Sequence, residues 1–167
     1  MNNVKIPETN KAYNKLLYWF FSFPYKEVSL NEIVRETKIS KTTANRIIKR
    51  LILDGFVKKE TIGRNWRLKN NKEHKFNKTK KVFFNLEMVC LSNIIELIYK
   101  KIQNPKAIIL FGSYRKGDDT EKSDIDIAVE ILGNKKFEII ELLVFKEFGY
   151  RKNVKVNIHI FSRDNIN

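Results

Sequence analysis

The spacing of apolar positions changes period along the chain, and each change predicts an element. From Asn10 to Phe23, Tyr13, Leu16, Leu17, Phe20 and Phe21 recur at helical intervals, and Pro24 closes the run. Ser29, with Glu32 three residues on, makes a capping-box pattern. It predicts a short helix over Leu30–Thr37 that buries Ile33 and Val34. Ser40 can cap a third helix reaching about Asp54. Its inward stripe is Ala44, Ile47, Ile48, Leu51 and Ile52, and Gly55 follows where a helix C-cap is expected. Two strand-like runs come next, Phe56–Thr61 and Asn65–Lys69, joined around Gly63. Lys69–Lys81 is polar, lysine-rich and aperiodic, which predicts a linker or an elaborated wing edge with His74 solvated.

The second half opens on Val82–Ile102, whose apolar residues cover more than one side of a helix. Such a helix is expected to be buried on several sides, between domains or against a second copy of the chain, with Cys90 as a small core residue. Lys106–Phe111 reads as a buried strand, and Gly112-Ser113 follows at once. Tyr114–Ser123 is a charged loop or short helix. Asp124–Glu130 then alternates, placing Ile125, Ile127 and Val129 on one face and Asp124, Asp126 and Ala128 on the other. Lys136–Phe148 predicts a helix. Val154–Phe161 alternates again, with Val156, Ile158 and Ile160 inward and Lys155, Asn157 and His159 outward. The expected class is α+β, with one domain over residues 1–81 and a second, holding a mixed sheet, over 82–167.

Composition permits this and charge sharpens it. Of 167 residues, 43% are hydrophobic, enough for packed cores. The single cysteine excludes a disulfide framework. Met1–Asn10 holds no apolar signal segment and no apolar run is long enough to span a bilayer, so the expectation is a soluble, cytoplasmic protein without a membrane partner. Residues 1–81 carry 20 Lys/Arg against 7 Asp/Glu, whereas residues 82–167 carry 13 against 12. Nearly all of the +14 surplus therefore lies in the first half, which points that half toward a polyanion. Helix, helix, tight turn, helix and basic hairpin, over about residues 10–70, resembles the winged helix-turn-helix domains of bacterial and archaeal regulators. That resemblance implies double-stranded DNA as partner. The major groove would meet Lys41, Thr42, Thr43, Asn45, Arg46, Lys49 and Arg50 of the third helix, and phosphates would meet the wing cations Lys58, Arg64 and Arg67.

The candidate chemistry sits in the second half. Two carboxylates one residue apart on a strand lie about 6–7 Å apart at their Cα atoms and share a face. They can hold magnesium, which phosphoryl and nucleotidyl transfer need to neutralise the phosphates. Gly112 lets the backbone approach a triphosphate, Ser113 offers a hydroxyl, and Arg115 and Lys116 add charge. Gly112-Ser113, ten residues, then Asp124-Ile125-Asp126 resembles the motif of the DNA polymerase β nucleotidyltransferase superfamily, in particular its minimal members, over roughly residues 83–164. The resemblance implies that Asp124 and Asp126 bind two magnesium ions and are catalytic. It also implies that Gly112 and Ser113 hold the nucleoside triphosphate, and that a nucleoside monophosphate passes to a hydroxyl while pyrophosphate leaves. It further implies a third carboxylate, whose position in Val154–Phe161 is occupied by Asn157. Asn157 can still offer an amide oxygen to a metal, but no charge and little basicity. His159 is its neighbour on that face.

Two functions stay open at this point. One is a DNA-associated, Mg2+-dependent nucleotidyltransferase acting on a protein, nucleic-acid or small-molecule hydroxyl. The other is a winged-helix transcriptional regulator whose nucleotidyltransferase domain binds nucleotide or partner without turnover. The family resemblance adds a helical partner protein and an antitoxin-like role, compatible with either.

Overall fold

A computed structural model of the chain describes residues 3–4, 12–63, 65–133 and 136–165. In chain order the elements are β1 (Asn3–Val4), α1 (Ala12–Ser22), α2 (Leu30–Thr37), α3 (Lys41–Leu53), β2 (Val57–Ile62), β3 (Asn65–Asn70), α4 (Asn77–Cys90), α5 (Ile94–Lys101), β4 (Ala107–Phe111), α6 (Gly112–Lys116), β5 (Ile125–Glu130), β6 (Glu138–Phe148) and β7 (Arg151–Phe161). The described residues divide into two compact units, 12–81, and 82–165 together with 3–4.

In the first unit, α1 to α3 close on a core of Leu16, Trp19, Phe20, Phe21, Ile33, Ile48 and Leu51, with Leu68 of β3 beneath them. The Ser29–Glu32 capping box forms: the Glu32 amide donates to Ser29 Oγ at 3.3 Å, and the Ser29 amide donates to Glu32 Oε2 at 2.7 Å. Lys38 then takes a left-handed conformation, φ 56°, to end α2. Ser40 caps α3 through the Thr43 amide, and Gly55, at φ 82°, turns the chain into β2. Strands β2 and β3 pair antiparallel from Val57↔Asn70 to Ile62↔Asn65, and Val28 adds a bridge to Leu68. These are the parts of a winged helix-turn-helix.

Hydrogen bonds to the Ser29 hydroxyl and amide hold the Glu32 carboxyl below its ordinary value. A lowered carboxyl contributes stability above its unfolded pKa and loses that contribution as pH falls through the folded value. Ser29→Ala is therefore expected to cost about 1 kcal/mol at neutral pH. The difference from wild type should shrink in acid, as urea midpoints at pH 7 and pH 3 can measure.

Four expectations fail at the chain's middle. Lys69–Lys81 is not a linker: β3 runs to Asn70, and α4 begins at Asn77, whose Nδ2 donates to Asn70 Oδ1 at 2.7 Å. His74 is not solvated. Its ring packs on Phe56 at 4.4 Å, and a Cβ on Gly55 would come within 2.9 Å of it. The expected Val82–Ile102 helix is likewise two helices, broken where Ser92 Oγ donates to the Val89 carbonyl and Asn93 turns left-handed at φ 58°. Phe84, Met88, Val89, Ile94 and Ile98 are buried, but Phe83, Leu86, Leu91 and Tyr99 are exposed, as is Cys90. Cys90 is thus a surface residue rather than a core one. Among the described residues no single helix is long and apolar enough to cross a membrane.

The second unit is built on a five-stranded mixed sheet, ordered β1-β6-β7-β5-β4. Strands β5 and β7 run parallel, β4 is antiparallel to β5, β6 is antiparallel to β7, and β1 pairs parallel to β6. One face is buried through Ile125, Ile127, Val129, Val156, Ile158 and Ile160. Strand β4 lies at the sheet's edge and is only half-buried, so the expectation of a buried strand there is corrected. The larger correction is Glu138–Phe148, a strand and not a helix. A register shift between Glu141 and Leu143 moves its alternation by one residue, which makes the apolar spacing look helical.

Candidate functional site

The register of four strands assembles the site face of the sheet. Phe111, Asp126, Asn157 and Glu141 lie side by side in one row, and Ile109, Ala128, His159 and Ile139 form the next. Residues in register share a face, so β5 and β7 turn Asp126, Asn157 and His159 to the side opposite the buried isoleucines. Ile109, Ile139 and the nearby Phe137 are exposed. Glu141 belongs to this face and was missed, because its segment was expected to be helical. The paired alternation of Glu141 with Asn157 becomes visible only once β6 is placed beside β7.

Gly112 closes the site from the end of β4. Its φ is 69°, and a Cβ there would stand 3.1 Å from Asp126 Oδ2. The residue thus meets two demands at once, a left-handed backbone and close approach to a carboxylate. Ser113 begins the single turn of α6, half-buried, while Arg115 and Lys116 are exposed at its end. A buried polar network ties this turn to the loop that leads into Asp124. Asn85 Nδ2 donates to Asp119 Oδ1 at 2.7 Å and to the Tyr114 carbonyl at 2.9 Å. Arg151 lies 3.8 Å from Asp119, 4.8 Å from the Tyr114 ring centroid, and donates to the Thr120 carbonyl. Burial pulls the Arg151 guanidinium down to about 10, yet leaves it charged at neutral pH.

The carboxylates face nitrogen donors across β7. Asn157 Nδ2 lies 3.4 Å from Asp124 Oδ2, and His159 Nε2 lies 3.4 Å from Asp126 Oδ1. The His159 ring is held edge-on to Phe111 at 4.8 Å, with Phe137 at 6.0 Å. The donor set, two carboxylates beside a glycine cradle, fits a divalent ion accompanied by a triphosphate. The third carboxylate is missing from it. Among the described residues, no three His, Cys, Asp or Glu side chains converge as a metal cluster.

The first unit offers a cationic surface. On α3, Lys41, Thr42, Arg46, Lys49 and Arg50 are exposed. Thr43 and Asn45 do not join them: Thr43 Oγ1 accepts from Ser40 within the cap at 2.9 Å, and Asn45 is half-buried with its Oδ1 shielded. Arg50 is held by Asp54 at 2.9 Å, and Tyr13 donates to the same carboxylate at 2.8 Å. Burial, and then Asp54, raise the Tyr13 phenol well above its ordinary value. On the wing, Lys58 pairs with Glu73, whose carboxyl that pairing lowers. Lys59 covers the Trp66 ring at 4.6 Å, and Arg67 is exposed. Arg64 lies outside the described residues.

A basic winged helix-turn-helix followed by a mixed sheet with a Gly-Ser turn against Asp-x-Asp defines a winged-helix protein with a nucleotidyltransferase-like domain. Residues 92–166 match the family described as "Polymerase beta, Nucleotidyltransferase", and residues 27–58 match "Winged helix-turn-helix DNA-binding". A Methanocaldococcus jannaschii protein with the printed name "Putative protein adenylyltransferase" is 43% identical over 67 residues, covering 36% of this chain and 67% of that protein. No solved structure matches the chain. The chain belongs to the polymerase β nucleotidyltransferase family, with a winged helix-turn-helix DNA-binding domain ahead of the nucleotidyltransferase domain.

Proposed function

We propose that the chain is a DNA-binding nucleotidyltransferase that passes a nucleoside monophosphate from a triphosphate to a protein hydroxyl. The observation that carries this reading is the closure of Gly112 on Asp126: at φ 69° an added Cβ would stand 3.1 Å from Asp126 Oδ2, so any larger residue there would strain the backbone and press on the carboxylate. In the reaction, the acceptor oxygen bonds the α-phosphorus, the bond to the β-phosphate oxygen breaks, and pyrophosphate leaves with its electron pair. The acceptor proton passes to solvent. Asp124 and Asp126 would hold the magnesium ion, which supplies charge neutralisation to the triphosphate and leaving group. Ser113, Arg115 and Lys116 would orient the phosphates. The relative's name favours a protein acceptor over a nucleic acid. A partner protein supplying that hydroxyl, as in an antitoxin-like pair, accommodates the same chemistry. DNA would be met by Lys41, Thr42, Arg46 and Lys49, which form no ion pair with any described residue.

A second reading is favoured by one observation, Asn157 in register with Asp126. It is a winged-helix regulator whose second unit binds nucleotide without transferring it. Labelled nucleotide separates the two. With α-labelled triphosphates, magnesium and partner proteins, label should appear on protein and vanish in Asp124→Ala/Asp126→Ala. Nucleotide binding without label transfer would select the regulator. In parallel, Arg46→Ala/Lys49→Ala should weaken DNA binding and flatten its salt dependence by about one unit of log–log slope per lost phosphate contact. An unchanged slope would remove α3 from the DNA surface.

A further inference from the structure

We infer that the site holds one divalent ion, carried in by the nucleotide, and that Asn157 and His159 stand where a second ion would be held. The inference rests on the reading that this face of the sheet takes a triphosphate. It starts from what β7 presents to β5. Asp126 and Asn157 are register partners, so residue 157 is the nearest side chain on the next strand to the carboxylate pair. A carboxylate there would be a hard oxygen ligand. An amide carries no net charge, and beside the Asp124 carboxylate it turns its NH2 group inward, because its oxygen's partial negative charge would be repelled. The observed approach is that of the donor, Asn157 Nδ2 to Asp124 Oδ2 at 3.4 Å.

His159 does the same one row along. Its Nε2 stands 3.4 Å from Asp126 Oδ1, and its side chain is 19% exposed between Phe111 and Phe137. The packing fixes the ring plane, so an N–H directed at Asp126 is the arrangement a carboxylate oxygen selects. Each aspartate therefore has one oxygen facing a nitrogen donor from β7. These donors relieve the repulsion between two neighbouring carboxylates, which is part of what a second cation does. They also withdraw ligands from it, since magnesium takes oxygen ligands and is poorly served by amide N–H groups or imidazole. Glu141 is the one further carboxylate in the row, but it lies a strand beyond Asn157 and is directed to Lys155 at 4.0 Å. An ion chelated by a triphosphate brings most of its own ligands and needs only the outward oxygens of Asp124 and Asp126. A second ion would have to be held chiefly by the protein, and its third ligand is absent.

Manganese can be counted directly. At chain concentrations that bind all of an equimolar non-hydrolysable triphosphate, Mn2+ titrated into the mixture and followed by the electron paramagnetic resonance of the free ion should saturate at one per chain, with negligible uptake when nucleotide is omitted. Asn157→Asp should raise the count to two. Asn157→Ser, which removes the amide without adding a carboxylate, should leave it at one. So should Glu141→Gln, which tests the remaining acid. Calorimetric titration of the nucleotide into each variant verifies that its site is folded. Two ions in the wild type, or one in Asn157→Asp with nucleotide binding intact, would overturn the inference while leaving the proposed function standing. If neither nucleotide nor manganese bound to the wild type, both would fail together.

Discussion

Replacing Arg151 by methionine is expected to destabilise the 82–165 unit by about 3–5 kcal/mol, the usual cost of removing one partner from a buried ion pair. Both side chains are almost fully enclosed, Arg151 at 4% exposure and Asp119 at 3%. Methionine keeps the apolar stem over Tyr114 but takes the guanidinium from Asp119 and the donor from the Thr120 carbonyl. A buried carboxylate from which a neighbouring guanidinium is withdrawn is pushed toward protonation or toward water, and both loosen the 117–123 loop. That loop leads directly into Asp124, so nucleotide binding should fall before the unit unfolds. Tryptophan fluorescence is blind to this event, because Trp19 and Trp66 both belong to the other unit. Hydrogen exchange at the amides of β5 and β7 is the suitable measure, and their protection should drop toward that of local opening. Adding Asp119→Asn to Arg151→Met should restore part of the loss, since the neutral amide no longer needs a counter-charge. Equal protection in wild type and Arg151→Met would show that the pair carries little of the unit's stability.

The network behind this prediction was not legible in the sequence, whereas the residues it supports were. Gly112-Ser113 and Asp124-Ile125-Asp126 announced themselves by local spacing, and strand periodicity alone put both aspartates on one face. Val154–Phe161 shows the same alternation, which by itself turns Asn157 and His159 toward the site. Asn85, Asp119 and Arg151 are scattered over α4, a loop and β7, and none sits in a pattern with a period. Their role arises from burial, which sequence spacing does not encode. Strand β6 failed for a different reason. A bulge adds one residue to a strand and breaks the period of two, and Ile139, Ile140, Leu143 and Val144 then fall at helical intervals. Misreading β6 hid Glu141 and the site's fourth strand. In the first unit, local signals were strong because capping boxes and a left-handed glycine act over three or four residues. The inward lean of Asn45 and Thr43 depends on how α3 packs and caps, and no helical wheel separates them from Thr42.

Gly112→Ala should disable the proposed nucleotide site while leaving the fold nearly intact, a loss on the order of 100-fold in the proposed nucleotidyl transfer. Two effects combine. An L-residue at φ 69° carries a strain of about 1–2 kcal/mol. The new methyl group would also press on Asp126 Oδ2 at 3.1 Å, with the Cβ and Cγ of Asp126 behind it at 3.7 and 3.8 Å. Strain alone is shared with other positions and is a stability effect. Gly133 supplies the control, since it has φ 93° and nothing within 4 Å of an added Cβ. Gly133→Ala should therefore lose stability by a comparable amount and keep its nucleotide affinity. At Gly112 the methyl cannot be accommodated without turning the Asp126 carboxylate or opening the joint between β4 and α6. Either movement separates the carboxylate from the turn proposed to meet the phosphates. The two variants, compared by urea unfolding and by calorimetric titration of a non-hydrolysable triphosphate, distinguish backbone strain from displacement of a ligand. If both lost binding equally, the closeness of Gly112 to Asp126 would be a packing detail. If only Gly112→Ala did, the aspartate and the glycine turn would act as one device, held at a separation that a single methyl group destroys.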